Sequence, residues 1–207
     1  MIILGISGKR GAGKDLLASY LARKYGFVII KFADALKEEV RAQFGLSREH
    51  TDGNMKEYPT SYRVTPFKSE TDDLHLQWTA RDIMIEYGKF FRRFDPDWWV
   101  KKVFQRIEQI KYLSGNNDRV RICISDLRFK NEAKYIKDQH GIMVRLERKP
   151  ELNIYKHDIN DISEFDLDDY EGFDYRLDAE SNVAPDDLEK FSDVIMTNLY
   201  ADKGLLR

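Results

Sequence analysis

Gly8-Lys9-Arg10-Gly11-Ala12-Gly13-Lys14-Asp15 decides the reading of this chain. Before it stands a short apolar run, Ile2–Ile6, ending in Ser7-Gly8, which reads as a buried parallel strand. After it, from about Asp15 to Lys24, Leu16, Leu17, Tyr20 and Leu21 fall on one side of a helix. Between strand and helix the octapeptide matches G-x-x-x-x-G-K, a loop whose backbone N–H groups converge on phosphate oxygens at a helix N-terminus. Lys14 would bridge the β and γ phosphates of a nucleotide. Asp15 replaces the usual Ser/Thr; a carboxylate can take that place near Mg²⁺, directly or through water, and is also favourable in a first helical turn with no metal at all. A dinucleotide-binding G-x-G-x-x-G beginning at Gly11, with Asp34 about 20 residues on, fails because Leu16 occupies the third small-residue position and Lys14 would have no purpose.

Outward from the loop, Phe27–Phe32 reads as a second strand and Ala33 to Gln43 as a helix stopped by Gly45. Strand–helix–strand–helix at this spacing predicts an α/β fold with a parallel sheet flanked by helices. Residues 47–78 are polar, contain Pro59 and Pro66, and read as an irregular insertion or flap. Thr79-Ala80-Arg81-Asp82 fits a helix N-cap with an acid at the third position, opening a helix to about Phe94. Asp95-Pro96 starts another, carrying Trp98, Val100, Val103, Phe104 and Ile107. Val120–Ser125 is the strongest central-strand candidate, with Asp126 following and a helix from about Asn131 to Gln139, ended by Gly141. Ile142–Leu146 is a further strand, 149–182 an acidic lid plus loop, Asp186–Phe191 a short helix and Val194–Thr197 a last strand. The length of 207 residues suits one domain, 1–207, in which 47–78 is the insertion or acceptor-side flap and about 148–182 the lid and acidic loop.

The formal charge of −2 argues against a bulk nucleic-acid coat but conceals a split: residues 1–160 carry 30 bases and 22 acids, whereas 161–189 carry twelve acids and one Arg. A basic body attracts a polyanionic ligand. One cysteine, Cys123, excludes an intramolecular disulfide framework. No apolar run approaches the roughly 18 residues of a membrane span, and the N-terminus has the reverse of a signal peptide's charge order. A cytoplasmic protein with no membrane or nucleic-acid partner is expected; a homodimer is left open.

Four further places carry chemistry. Asp126 ends a buried strand, where phosphate-loop enzymes hold Mg²⁺, and Arg128 lies two residues on; a helix cap or turn is the plainer role for Asp126. Lys31, Asp34 and Lys37 open the helix after the second strand, where they would hold a second anionic substrate or decorate a solvated face. Arg81, in the first turn of its helix, suits bidentate phosphate contact, while Arg92 and Arg93 at the far end suit the helix dipole. Arg145 and Arg148, around the end of the strand 142–146, occupy the place of lid arginines that close over ATP, or a salt-bridged surface. Trp98 reads as core, and Tyr58 and Tyr62 as candidate base contacts; His50, His75, His140 and His157 show no metal spacing.

These blocks, in this order, resemble the deoxynucleoside monophosphate kinases of tailed bacteriophages, which have the P-loop kinase fold. The matching segments are Gly8 to Asp15, Phe32-Ala-Asp-Ala-Leu-Lys37, Thr79 to Asp82 with Gly88, Asp97-Trp-Trp-Val100, Asp126 to Glu132, the strand ending at Arg145 to Arg148, Ile162-Ser-Glu164 and Phe173-Asp-Tyr175. The resemblance spans 1–198 with 46–75 unmatched, and departs from the family at Asp161, Glu86 and Lys89. It implies transfer of the ATP γ-phosphate to a deoxynucleoside monophosphate (dNMP) with Mg²⁺. By position, Lys9, Arg10, Gly11, Ala12, Gly13, Lys14, Asp15 and Leu16, with Arg148 from the lid, would hold ATP. Lys31, Asp34, Lys37, Arg81, Asp126, Arg128 and Glu132 would lie near the monophosphate. Lys14, Arg81 and Arg128 would act on the migrating phosphoryl group, and Asp15 or Asp126 would hold Mg²⁺. A P-loop kinase for another phosphorylated small molecule, such as phosphomevalonate, and a regulatory nucleotide-binding NTPase are the alternatives.

Overall fold

The computed structural model describes residues 1–63, 77–115, 120–148, 165–179 and 185–202. Contacts divide the chain into two units, Met1–Phe32 with Val103–Arg207, and Ala33–Lys102. The first unit is built on a five-stranded sheet of β1 (Ile2–Gly8), β2 (Val28–Ile30), β5 (Arg121–Leu127), β6 (Ile142–Arg148) and β7 (Tyr175–Ala179), in the spatial order β2-β5-β1-β6-β7. Every pairing is parallel, with Leu4 opposite Cys123 on one side and Ile142 on the other. Parallel strands need helical crossovers that cover both faces, so β1 and β5 are near-continuously apolar. On one face Leu4, Ile6, Cys123 and Val144 pack with Leu17 and Leu21 of α1 (Lys14–Tyr25) and with Ile195, Met196 and Leu199 of α7 (Pro185–Asp202). On the other, Ile136 of α6 (Lys130–Asp138) lies so close to β1 that a Cβ on Gly5 would meet its Cδ1 at 2.6 Å.

The second unit holds α2 (Phe32–Phe44) beyond its first residue, α3 (Arg48–Thr51), the antiparallel pair β3 (Pro59–Arg63) and β4 (Gln77–Thr79), α4 (Ala80–Phe94) and the start of α5 (Trp98–Leu113). Thr79 caps α4 as expected: its hydroxyl accepts the Asp82 N–H, and the Asp82 carboxylate accepts the Thr79 N–H. Trp99 Nε1 donates to the Gly88 carbonyl at 3.2 Å, and Trp98 stacks on Phe91. The buried member of the Trp pair is Trp99 at 2% exposure, whereas Trp98 is half-buried, which corrects the expectation for Trp98.

Several boundaries differ from the sequence reading for physical reasons. Residues 185–202 form one helix rather than a short helix and a strand over Val194–Thr197. Leu188, Ser192, Ile195, Met196 and Leu199 are buried at helical spacing, and adjacent Ile195 and Met196 could not both face one side of a strand. The last strand is β7, within the expected acidic loop, where half-buried Tyr175 and Leu177 alternate with exposed Arg176 and Asp178. The 47–78 insertion has regular structure at both its ends, in α3, the 3₁₀ turn Asn54–Glu57, β3 and β4. Leu16 is exposed, and α1 buries Leu17, Ala18, Tyr20 and Leu21 instead. β5 extends to include Asp126, and β6 extends beyond Leu146 through Arg148, so Arg148 as well as Arg145 belongs to the strand. Among the described residues no helix is long and apolar enough to cross a membrane.

Candidate active site

The sheet order makes β1 the switch point, flanked by β5 and β6, and ligands of open parallel sheets bind beyond the strand ends at such a point. The loop from Gly8 to Asp15 leaves β1 there. Gly8 has φ of 151°, and a Cβ on it would meet the Leu146 carbonyl oxygen at 2.6 Å. Gly13, with φ of 95°, is the left-handed N-cap of α1 and turns its backbone into the first helical bond, Leu17 N–H to Gly13 O at 3.0 Å. Only glycine accepts both conformations without strain. Lys14 folds back on the loop, its Nζ donating to the Gly8 and Lys9 carbonyls at 2.6 and 2.8 Å.

Asp15 and Lys31 are brought together: Lys31 Nζ donates to Asp15 Oδ1 at 2.6 Å. Asp126, half-buried near the end of β5, accepts the N–H of Phe32, the first residue of α2, at 2.7 Å. That contact, at the first residue of α2, fits the plainer capping role expected for Asp126. Glu132 is 3% exposed and accepts the N–H groups of Arg128 and Phe129 at 2.8 and 3.1 Å, fixing the turn that follows Asp126. Arg10 and Gly11 are exposed, and Ala12 is buried under the loop, its N–H donating to Lys9 O. In the second unit Lys37 donates to Asp52 Oδ1 at 2.7 Å, and the Arg81 guanidinium ion-pairs with Glu57. Asp34 is half-buried in the first turn of α2. Burial pushes the Asp52 carboxyl upward, but Lys37, Thr51 and Arg41 more than offset this and hold it below the usual carboxylate range. Four of the expected cations are thus paired with carboxylates: Lys9–Asp168, Lys31–Asp15, Lys37–Asp52 and Arg81–Glu57.

Apart from Asp15, the sequence reading missed the carboxylates that hold these cations: Asp168, Asp52 and Glu57. Of the two readings of Arg145 the salt-bridged one holds, though the residue is buried rather than on the surface: it is 7% exposed and bonded to Ser7 and Asp168. An Arg inside the apolar run Ile142-Met-Val-Arg-Leu146 was the available signal, since a charge in a buried strand requires a partner. Arg148 is the last residue of β6. Tyr62 donates to the Phe44 carbonyl, Tyr58 is exposed, and His50 caps α3 through Ser47. Glu86 and Lys89 pair with each other at 2.9 Å on α4. Asp161, His75, His157 and most of the expected lid lie outside the described residues. Asp15 and Asp126 are hard oxygen donors suited to Mg²⁺, which takes one or two carboxylates and completes its shell from phosphates and water. Among the described residues no group of three or more His, Cys, Asp or Glu side chains that could hold a metal occurs.

No family model matches the chain. A protein of Acanthamoeba polyphaga mimivirus named "Putative deoxynucleotide monophosphate kinase" is 31% identical over 154 residues, covering 72% of this chain and 75% of that one. The chain belongs to the deoxynucleotide monophosphate kinase family. A phosphomevalonate kinase of Drosophila melanogaster is 27% identical over 190 residues, covering 86% of this kinase and 87% of the relative. The solved structure of dephospho-CoA kinase from Campylobacter jejuni matches with a TM-score of 0.50 at 15% identity over 99% of this kinase and 98% of that chain, a likeness of fold. The kinase is therefore a phosphotransferase with the P-loop fold. The resemblance holds at the level of deoxynucleotide monophosphate kinases, through a mimivirus relative, and its bacteriophage part is not supported.

Proposed function

We propose that this kinase transfers the γ-phosphoryl group of ATP to a deoxynucleoside monophosphate, yielding the diphosphate and ADP. The observation that carries the reading is a glycine loop with a left-handed N-cap between β1 and α1, in a chain related to deoxynucleotide monophosphate kinases. Lys9 to Leu16, with Arg148, bind ATP, and Lys14 moves from the Gly8 and Lys9 carbonyls to the β and γ phosphates. Lys31, Asp34, Lys37, Arg81, Asp126, Arg128 and Glu132 serve the acceptor. An oxygen of the acceptor phosphate forms a bond to the γ phosphorus as the bond to the β-phosphate oxygen breaks. Lys14, Arg81 and Arg128 neutralise the equatorial oxygens, so positioning and charge carry the rate. Asp15 and Asp126 would hold Mg²⁺, which would supply positive charge to offset that of the phosphates.

A coupled ADP-release assay with the four dNMPs, phosphomevalonate and no acceptor tests the reading. ADP formation that requires a dNMP supports it. Turnover with phosphomevalonate alone assigns another acceptor, and acceptor-independent hydrolysis assigns a regulatory NTPase; either refutes the proposal.

A further inference from the structure

Arg145 is a buried cation in a buried strand, on β6 where it pairs with β1. Its Nη1 donates to Ser7 Oγ at 3.0 Å, one residue before the phosphate loop, and its Nη2 donates to Asp168 Oδ1 at 2.6 Å. The other oxygen of that carboxylate accepts Lys9 Nζ at 2.8 Å, and Lys9 also lies over the Phe165 ring at 4.9 Å. The Lys9 carbonyl in turn accepts Lys14 Nζ at 2.8 Å and the Ala12 N–H at 3.1 Å. One chain of contacts therefore runs from Arg145 through Asp168 and Lys9 to Lys14. A buried guanidinium demands a counter-charge, which fixes Asp168. The second oxygen of Asp168 then fixes the side chain of a loop residue.

We infer that Asp168 is a positioning residue for the phosphate donor: by bridging Arg145 and Lys9 it holds the first turn of the phosphate loop, and so sets ATP affinity without touching ATP. This rests on the proposed function only in taking Gly8–Asp15 as the ATP site. A loop held in place before its ligand arrives loses less freedom on binding. The contact also gives the acidic stretch a use, because Asp168 carries it to the loop.

Asp168→Asn keeps an amide oxygen for Arg145 but removes the charge that holds Lys9, and Asp168→Glu keeps the charge. ATP binding to the full chain is measured by titration calorimetry, with KM and kcat beside it. Asp168→Asn is expected to raise the Kd and KM for ATP about tenfold while kcat stays within about twofold, and Asp168→Glu to restore most of the affinity. In a Lys9→Met background Asp168→Asn adds less than about twofold, because the effect travels through Lys9. A role confined to supporting Arg145 would keep the full penalty in that background. An Asp168→Asn protein that binds ATP as tightly as wild type or tighter, or a penalty that persists without Lys9, overturns the inference and leaves the donor site standing. A wild-type protein that binds no ATP overturns both.

Discussion

Truncating Glu132 separates support of the site from contact with a substrate. Its Oε2 receives two backbone N–H groups, from Arg128 at 2.8 Å and Phe129 at 3.1 Å, in a side chain 3% exposed. A hydrogen bond to a charged acceptor contributes about 1.5–3 kcal/mol, so two independent bonds would give roughly 3–6 kcal/mol. They share one oxygen, and the half-buried Arg128 and Phe129 can recover part of the loss from water, so Glu132→Ala should cost about 2–3 kcal/mol. Glu132→Gln retains an acceptor oxygen and should cost about 1 kcal/mol or less. Urea unfolding followed by circular dichroism, with slopes compared to confirm a common unfolded state, reads both values. A Glu132→Ala protein within about 0.5 kcal/mol of wild type would refute the supporting role. A normal stability combined with a greatly raised KM for the acceptor would make Glu132 a substrate ligand.

Lys14→Ala should abolish ADP formation while the protein still folds, since the amine it removes bonds the Gly8 and Lys9 carbonyls of its own loop; retained turnover in the coupled assay would contradict the mechanism. The Asp52 carboxyl is held below its ordinary value, so its contribution is present above the unfolded value of about 3.9 and lost as pH falls through the lower folded value. The difference in urea midpoint between wild type and Asp52→Asn should therefore be largest near neutrality and shrink below about pH 4, and a difference that widens on acidification would be incompatible with the Lys37–Asp52–Arg41 arrangement. Burial, with the nearby charges of Asp126 and Asp15, pushes the Cys123 thiol well above its usual range. Native protein should therefore resist thiol-reactive dyes at neutral pH and react fully in urea; rapid native labelling would show that β5 opens readily.

What was legible in the residues was local. Gly8 to Lys14 combines an apolar run, glycines and an amphipathic helix within a single window, so its strand–loop–helix geometry could be read directly. The capping pair Thr79 and Asp82 is likewise three residues apart. The carboxylates that organise the site lie far away in sequence: Asp168 from Lys9 and Glu57 from Arg81. Nothing in a short window distinguishes Asp168 from the other acids around it. β7 was hidden for a related reason, because an edge strand keeps only half its residues apolar and here the other half include Arg176 and Asp178. Val194–Thr197 shows the opposite failure, a short apolar run that reads equally well as strand until the helical spacing of Leu188 and Leu199 is included.

The order β2-β5-β1-β6-β7 also dictates when the Gly8–Asp15 loop can acquire its shape during synthesis. Both neighbours of β1 come from beyond residue 120, so the first strand emerges from the ribosome with neither edge matched. At about 5–20 residues per second, it waits on the order of 6–25 seconds for β5 and β6. Ala33–Lys102, by contrast, is continuous in sequence and can close its own contacts within that interval. The nascent chain thus carries the apolar run Ile2–Ile6 without its sheet neighbours until β5 and β6 have been made.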